Sequence, residues 1–406
     1  MTDIPTRPIR IAHFADTHLG YRALYRSDPV SGRNQRAIDV ERAYSAAIDD
    51  ILTRDVDLII HAGDVFHHTR PSWQAMRVFV SETRRIEAAG ILALFIAGNH
   101  DTPRLRTTGS VFSVLDLALP GIRFVAEYDM EDVPYSELGL LLQAIPHGAL
   151  TNPNLPMPFP EDGVRNVIVT HGLVPGIPLK GGREPGEEEL GGQILQSGFD
   201  YIALGHYHLW GPHGDNAWYS GSTERTGWGD EPVTPGYNLV TLGAPGTEPV
   251  IDHIPIPARH METLPSIRVG EHSAREIADQ ILDKAADMRS PEAMLRVQLL
   301  EAPRSVRREV EAILKRESGD VVWSLSVYSP ADILAPFGSH EGGLQVGDVR
   351  TLFARFVAER EKKGEYDPTF AAAFKARGLR TLDEAVQAAD AQATADMDQL
   401  VTEVTA

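Results

Sequence analysis

The sequence predicts an α/β fold: a layered strand–helix domain, then a small α+β domain, then a helical tail. Three observations predict it. Five short apolar, β-branched runs each end in a polar cluster, which suits strands buried on both faces. Helical periodicity fills the gaps between the first three runs, giving the strand–helix alternation of a layered domain. After about residue 260 the pattern shifts to a shorter helix–strand alternation and then to helix alone.

The five runs are Ile9–Asp16 (IRIAHFAD), Val56–Asp64 (VDLIIHAGD), Ile91–Asp101 (ILALFIAGNHD), Val164–Gly172 (VRNVIVTHG) and Phe199–His208 (FDYIALGHYH). Between them, Ala37–Leu52 and Trp73–Ala89 place apolar residues near helical spacing. Two loops border this region: the Pro-rich Thr151–Pro160, which must be extended or turning, and the Gly-rich, acidic Pro175–Gly192, expected to be mobile. Either would suit the rim of a cleft or an ordinary surface loop. Further on, Ser273–Met288 reads as an amphipathic helix with Ser273 as its N-cap. Met294–Leu300 reads as a strand, the region about Ser305–Arg316 as a helix and Val321–Tyr328 as a strand. A Gly-containing linker at about 336–347 leads to a helix after Asp348, and the Thr381-Leu-Asp-Glu384 pattern of a capping box predicts a last helix. Expected domains are therefore 1–259, 260–335 and 336–406. From Val349 to Arg380 the tail holds eight Lys or Arg against four acids, and from Thr381 onward six acids and no Lys or Arg.

Composition narrows the chemistry. The chain has 406 residues, 42% hydrophobic and 23% charged, as expected of a globular protein. It has no cysteine, so disulfides and thiolate metal sites are excluded, and a bound metal must use His, Asp, Glu or Asn. No apolar run reaches bilayer-spanning length, and MTDIPTRPIRIAHFAD has no apolar leader core, so no membrane association and a cytoplasmic location are expected. The net charge of −19 runs against a simple nucleic-acid binder but does not forbid a local basic groove. Arg22, Arg26, Arg33, Arg36, Arg70, Arg104 and Arg106 cluster around the polar motifs, either as phosphate contacts or as solvated surface residues.

Those motifs carry the chemistry. They are Asp16-Thr-His18, Gly63-Asp64, Gly98-Asn99-His100-Asp101, His171-Gly172 and Gly205-His206-Tyr-His208, each at a strand end. Carboxylate, imidazole and amide oxygen together suit divalent cations. The order D-x-H, G-D, G-N-H-D, H, G-H-x-H resembles the calcineurin-like metallophosphoesterases without a gap. That resemblance implies a layered αββα domain with two divalent ions. One would be held by Asp16, His18, Asp64 and His208, the other by Asp64, Asn99, His171 and His206. It further implies that a hydroxide activated by both ions attacks phosphorus, with His100 as proton donor to the leaving oxygen. Asp101 would either orient the His100 ring or cap its turn. His13 and His61, inside strands, read as core residues.

Within that superfamily the segment Gly63–Pro71 (GDVFHHTRP) and the pair FDYIALGHYH and Tyr219–Arg225 (YSGSTER) resemble the SbcD-type nucleases of double-strand-break repair. In their archaeal form a histidine three residues after the bridging aspartate helps place the DNA backbone, and His67 matches it; many bacterial members carry Asp there. The resemblance implies a manganese-dependent exonuclease, with endonuclease activity as a further option and magnesium as an alternative metal. It also implies a DNA substrate, a nucleoid-associated location, a homodimer, a cap formed by the second domain, and a tail that docks on a coiled-coil ABC-type ATPase of the SbcC type. A phosphatase or phosphodiesterase acting on nucleotides is the alternative enzyme reading. A DNA- or ATPase-binding scaffold is the non-enzymatic one, and the filled ligand set speaks against it.

Overall fold

The structure, a computed structural model, describes residues 7–24, 26–177, 187–195, 198–214, 216–328, 349–362 and 367–381. The chain divides into two compact units, residues 1–327 and 328–406.

Two six-stranded sheets form the heart of the first unit. One runs β12-β11-β1-β2-β3-β4, with β1 Ile9–Phe14, β2 Leu58–His61, β3 Leu92–Ile96, β4 Arg123–Val125, β11 Gly236–Leu242 and β12 Val250–Pro255. The other runs β5-β6-β7-β8-β10-β9, with β5 Glu131–Tyr135, β6 Leu140–Ile145, β7 Arg165–His171, β8 Tyr201–Gly205, β9 Gly211–Pro212 and β10 Ala217–Tyr219. Alternation along each strand explains the layering. Ile9, Ile11, Leu58, Ile60, Leu94 and Ile96 meet Leu140, Leu142, Val167, Val169 and Ala203 in a core shared by the two sheets. Their strand neighbours Ala12, Phe14, Ile59 and Phe95 point the other way, into a second core under helices Gln35–Leu52, Trp73–Ala88 and Phe112–Ala118. A third core, with Ile145, Ile168, Ile202 and Leu204, covers the outer face of the second sheet. Hence β1, β2, β3, β7 and β8 are buried on both faces, while β5 and β12 are partly exposed.

β1, β2 and β3 run parallel, and so do β6, β7 and β8. All five motif-bearing strands therefore release their polar clusters at carboxyl ends, where layered α/β folds gather chemistry.

A third sheet, β13-β14-β15 (Met261–Arg268, Met294–Leu300, Ser324–Tyr328), has its own apolar core. Helices Ala274–Asp287 and Arg304–Glu317 pack on it through Ile277, Ile281, Val310 and Leu314. Ser273 caps the first of these, with Glu276 closing a capping box.

In the second unit, helix Val349–Lys362 and the helix at 368–381 meet through Phe353 and Phe374, whose rings are 5.5 Å apart. Thr381 is the last described residue of the helix at 368–381, where its hydroxyl donates to Arg377 O, and the helix expected from Thr381 onward lies outside the described residues. A Thr hydroxyl serves an i−4 carbonyl as readily as it caps the next turn. The expected linker at 336–347, the Asp348 cap and everything after Thr381 lie outside the described residues, as do residues 178–186 of the Pro175–Gly192 loop.

Candidate metal centre

Backbone pairing first brings the β1 and β2 loops together. Asp16 N donates to Gly63 O (3.0 Å), His18 N to Asp64 O (3.0 Å), Leu19 N to Val65 O (2.9 Å) and His67 N to Leu19 O (3.1 Å). The local conformations are unusual. Of seven described non-glycine residues with positive φ, four are Asp16 (53°), His18 (45°), Asp64 (56°) and His206 (107°). Backbone strain on that scale persists where the surroundings impose it, and it clusters at functional sites. Gly98 and Gly205 have no room for a Cβ: one would strike the Asp64 carboxylate, the other the Ala62 carbonyl.

The side chains then converge. Asp16, His18 and His208 offer ligand atoms within 4.8 Å of one another, and so do Asp16, Asp64 and His171. His18 Nε2 and His208 Nε2 face each other at 3.1 Å. Asp64 lies between two sets of donors: Oδ2 is 3.7 Å from His18 Nε2, and Oδ1 is 3.5 Å from His171 Nε2. Asn99 Oδ1 lies 2.9 Å from His171 Nε2 and 3.2 Å from His206 Nδ1. Facing imidazole nitrogens, a doubly shared carboxylate and an inward amide oxygen are a donor set that fits borderline divalent cations. All seven residues expected to be ligands are thus brought to one place, Asp16, His18, Asp64 and His171 buried and Asn99, His206 and His208 half-buried.

Further contacts fix which ring atom each histidine presents. His171 Nδ1 donates to Ala62 O (2.8 Å). His208 Nδ1 donates to Asp230 Oδ2 (3.0 Å), and His206 Nε2 sits 3.3 Å from Glu187 Oε1. Sequence reading missed both acids. Neither belongs to a motif, and Glu187 sits in the acidic loop that offered no reason to single it out.

Electrostatics bind the set together. Burial works to raise the Asp64 carboxyl, but His171, His18 and His100 outweigh it and hold it well below the ordinary range. Burial opposes protonation of His171 and His208; Asp64 and Asp230 respectively overcome it and push each imidazole up to about 9. Burial raises Asp16 to about 6 against those same two imidazoles, and burial holds His18 well below its ordinary value. A cation entering here therefore displaces protons.

His100 stands beside this set. Its Nδ1 donates to His67 O (2.9 Å), and its Nε2 lies 4.0 Å from Asp64 Oδ2 on a ring about a quarter exposed. The His67 ring stacks on it at 5.0 Å and reaches His18, Nδ1 to Nδ1, at 3.3 Å. Asp101 takes the second of its two expected roles. Its carboxylate accepts from Val65 N (3.0 Å), Phe66 N (2.9 Å) and Gly98 N (3.1 Å), and the His100 ring is oriented by His67 O instead. Three buried N–H groups are a stronger claim on a carboxylate than one ring nitrogen. Among the arginines, Arg36 is buried and paired with Asp39 (2.6 Å) and Glu224 (3.4 Å), so it is no phosphate contact. Arg33 pairs with Glu41, and Arg26 lies over Trp323. Arg22, Arg70, Arg104 and Arg106 are exposed.

The calcineurin-like phosphoesterase family model matches residues 9–209. A DNA double-strand break repair protein Mre11 from Haloferax volcanii is 32% identical over 268 residues, covering 63% of this chain and 53% of that protein. One of the same name from Methanosarcina acetivorans is 30% identical over 271 residues, covering 63% of this chain and 40% of that protein. The chain thus spans about half the length of the curated relatives it matches. A solved dimetal phosphatase from Danio rerio covers 60% of this chain at 13% identity with a TM-score of 0.34, too low to weigh further.

Proposed function

Residues 9–209 are a calcineurin-like phosphoesterase domain, and on that premise we propose that the chain is a metal-dependent nuclease hydrolysing DNA phosphodiesters in double-strand-break repair. The observation that carries it is the position of Asp64, with one oxygen toward His18 and the other toward His171, in reach of both halves of the donor set. The Mre11-named relatives support DNA over a small ester, as does His67, which lies against His18 and His100 at the rim.

In this reading Asp16, His18, Asp64 and His208 hold one divalent cation, and Asp64, Asn99, His171 and His206 the other. When bound, the cations supply Lewis acidity and screen the phosphodiester charge; manganese, or magnesium as the alternative, suits the donors. The chain's own part is positioning and proton transfer. Asp230, Ala62 and Glu187 hold three of the imidazoles in place. With Nδ1–H committed to the His67 carbonyl, protonated His100 presents its Nε2–H toward the reacting phosphate, where it gives that proton to the leaving oxygen. His67 at the rim and the exposed Arg22, Arg70 and Arg104, which lie close in sequence to the donor motifs, are the side chains this reading assigns to sequence-independent phosphate contacts.

A homodimer and an ATPase partner belong to the same proposal. Trp73 (90% exposed), Val114 (57%) and Leu117 (84%) stand out from helices on the outer face of the first sheet, in keeping with burial against a second copy. Exposed Phe370 and Phe374 offer the tail an apolar face for a coiled-coil ATPase. The test is manganese-dependent digestion of end-labelled double-stranded DNA, run beside a mononucleotide panel, with and without such an ATPase. Degradation from DNA ends supports the proposal. Fast mononucleotide turnover with intact DNA sinks it in favour of a small-ester phosphatase.

A further inference from the structure

One segment touches both the ligand set and the third-sheet domain. Asp230 Oδ2 accepts from His208 Nδ1 (3.0 Å), from Thr226 N (2.8 Å) and from the Thr226 hydroxyl (2.9 Å). The residues around it are gripped from the other side. Trp228 packs against Met261, Met294 and Trp323, and the Arg296 guanidinium lies over its ring at 4.5 Å. Glu231 accepts from Thr263 N (2.6 Å) and from Arg296 Nη2 (3.1 Å), and Arg296 Nε donates to the Thr263 hydroxyl (2.8 Å). Met261, Thr263, Met294, Arg296 and Trp323 all belong to the third-sheet region or the segment leading into β15. The same segment reaches the other rim, where the Tyr21 hydroxyl donates to Thr226 O and the Tyr21 ring stands edge-on to His67 at 5.0 Å.

Closing the turn at Trp228–Asp230 explains the bonds to Thr226. It explains neither the bond to His208, which lies 22 residues earlier, nor the grip on Trp228 and Glu231, which runs through side chains. We propose that Asp230 is a positioning residue for His208, and that the third-sheet domain, by clamping residues 228–231, sets the affinity of the metal position His208 serves. By accepting from Nδ1–H, Asp230 keeps the Nε2 lone pair of His208 turned toward Asp16 and His18. A shift of the clamp moves the carboxylate and with it the ring. Because Asp230 bonds the ligand set through His208, the effect falls first on the metal position His208 serves. The inference rests on the dimetal reading above.

The full chain, stripped by chelator, is titrated with Mn2+ by calorimetry, and the loaded protein is examined by electron paramagnetic resonance. Wild type takes up two ions with a coupled signal. In Asp230→Ala one of the two affinities falls by about tenfold to a hundredfold, while the other stays within about twofold of wild type, that narrow window being the selectivity expected of a contact to one position. Asp230→Asn recovers most of the loss, since its amide oxygen still accepts from His208. Arg296→Ala and Glu231→Ala, remote from the ligands, weaken the same position by a smaller factor, and circular dichroism melts establish that each variant is folded. Undiminished binding of both ions by folded Asp230→Ala, or equal loss of both, overturns the positioning role. Wild-type affinities in both clamp variants overturn the coupling. Fewer than two ions in the wild type refutes the dimetal reading itself, a result distinct from either.

Discussion

Single side chains in this centre do separable jobs. His100 touches Asp64 through its backbone N–H (2.8 Å), while its ring Nε2 stays 4.0 Å from Asp64 Oδ2, a position from which it can serve substrate. His100→Ala is accordingly expected to bind Mn2+ as wild type does and to lose about 10²- to 10⁴-fold in phosphodiester hydrolysis; near-normal cleavage would remove His100 from proton donation. His13 shows the opposite kind of histidine. It is fully buried, with Nδ1 2.8 Å from Tyr201 Oη, and burial lowers its pKa from 6.5 to about 3. Between those values only the unfolded chain takes up the proton. Its contribution is therefore complete above about pH 6.5 and is lost as pH falls toward 3, at up to ~1.4 kcal/mol per pH unit. Urea melts of metal-free His13→Gln should show a pH slope shallower by one proton in that window, and an unchanged slope would assign the acid sensitivity elsewhere. Sequence reading singled out the donors that the fold brings together because motif and strand end coincide. It missed Asp230, whose partner His208 lies 22 residues away, and misplaced Arg36, which is buried against Glu224 as well as its neighbour Asp39.

At the scale of elements, buried strands that end in a polar motif were legible, whereas buried Leu140–Ile145 and Gly236–Leu242, which end in none, and the edge strands were not. Ile9–Phe14 and Arg165–His171 are apolar runs long enough to read. Glu131–Tyr135 and Val250–Pro255 carry charges and exposed positions, and Gly211–Pro212 is two residues, so nothing local marks them. The turn after β3 is where element and site meet. Asp101 ties that turn to the β2 loop through three N–H groups, so Asp101→Ala leaves three buried donors without their acceptor. A loss of at least ~2 kcal/mol is expected, with weaker metal uptake following from displacement of Asn99. A folded variant of unchanged melting temperature would contradict the capping role.

The whole molecule sets acidity against function. A net charge of −19 repels a polyanion at long range, so binding must depend on the loaded site and on the few exposed arginines near it. DNA affinity is expected to fall steeply between about 50 and 200 mM salt through release of counterions; a flat response in a fluorescence-anisotropy titration would favour a small substrate. The third-sheet region bears on this scale too, because Arg259 joins it to the catalytic layers through Asp39 at 2.6 and 2.7 Å in a buried pairing.

The most direct test is anomalous scattering from crystals soaked in manganese. Two peaks are expected about 3.5–4 Å apart, with Asp64 between them, one flanked by Asp16, His18 and His208 and the other by Asn99, His171 and His206. A single peak remote from Asp64, or none, would contradict the account.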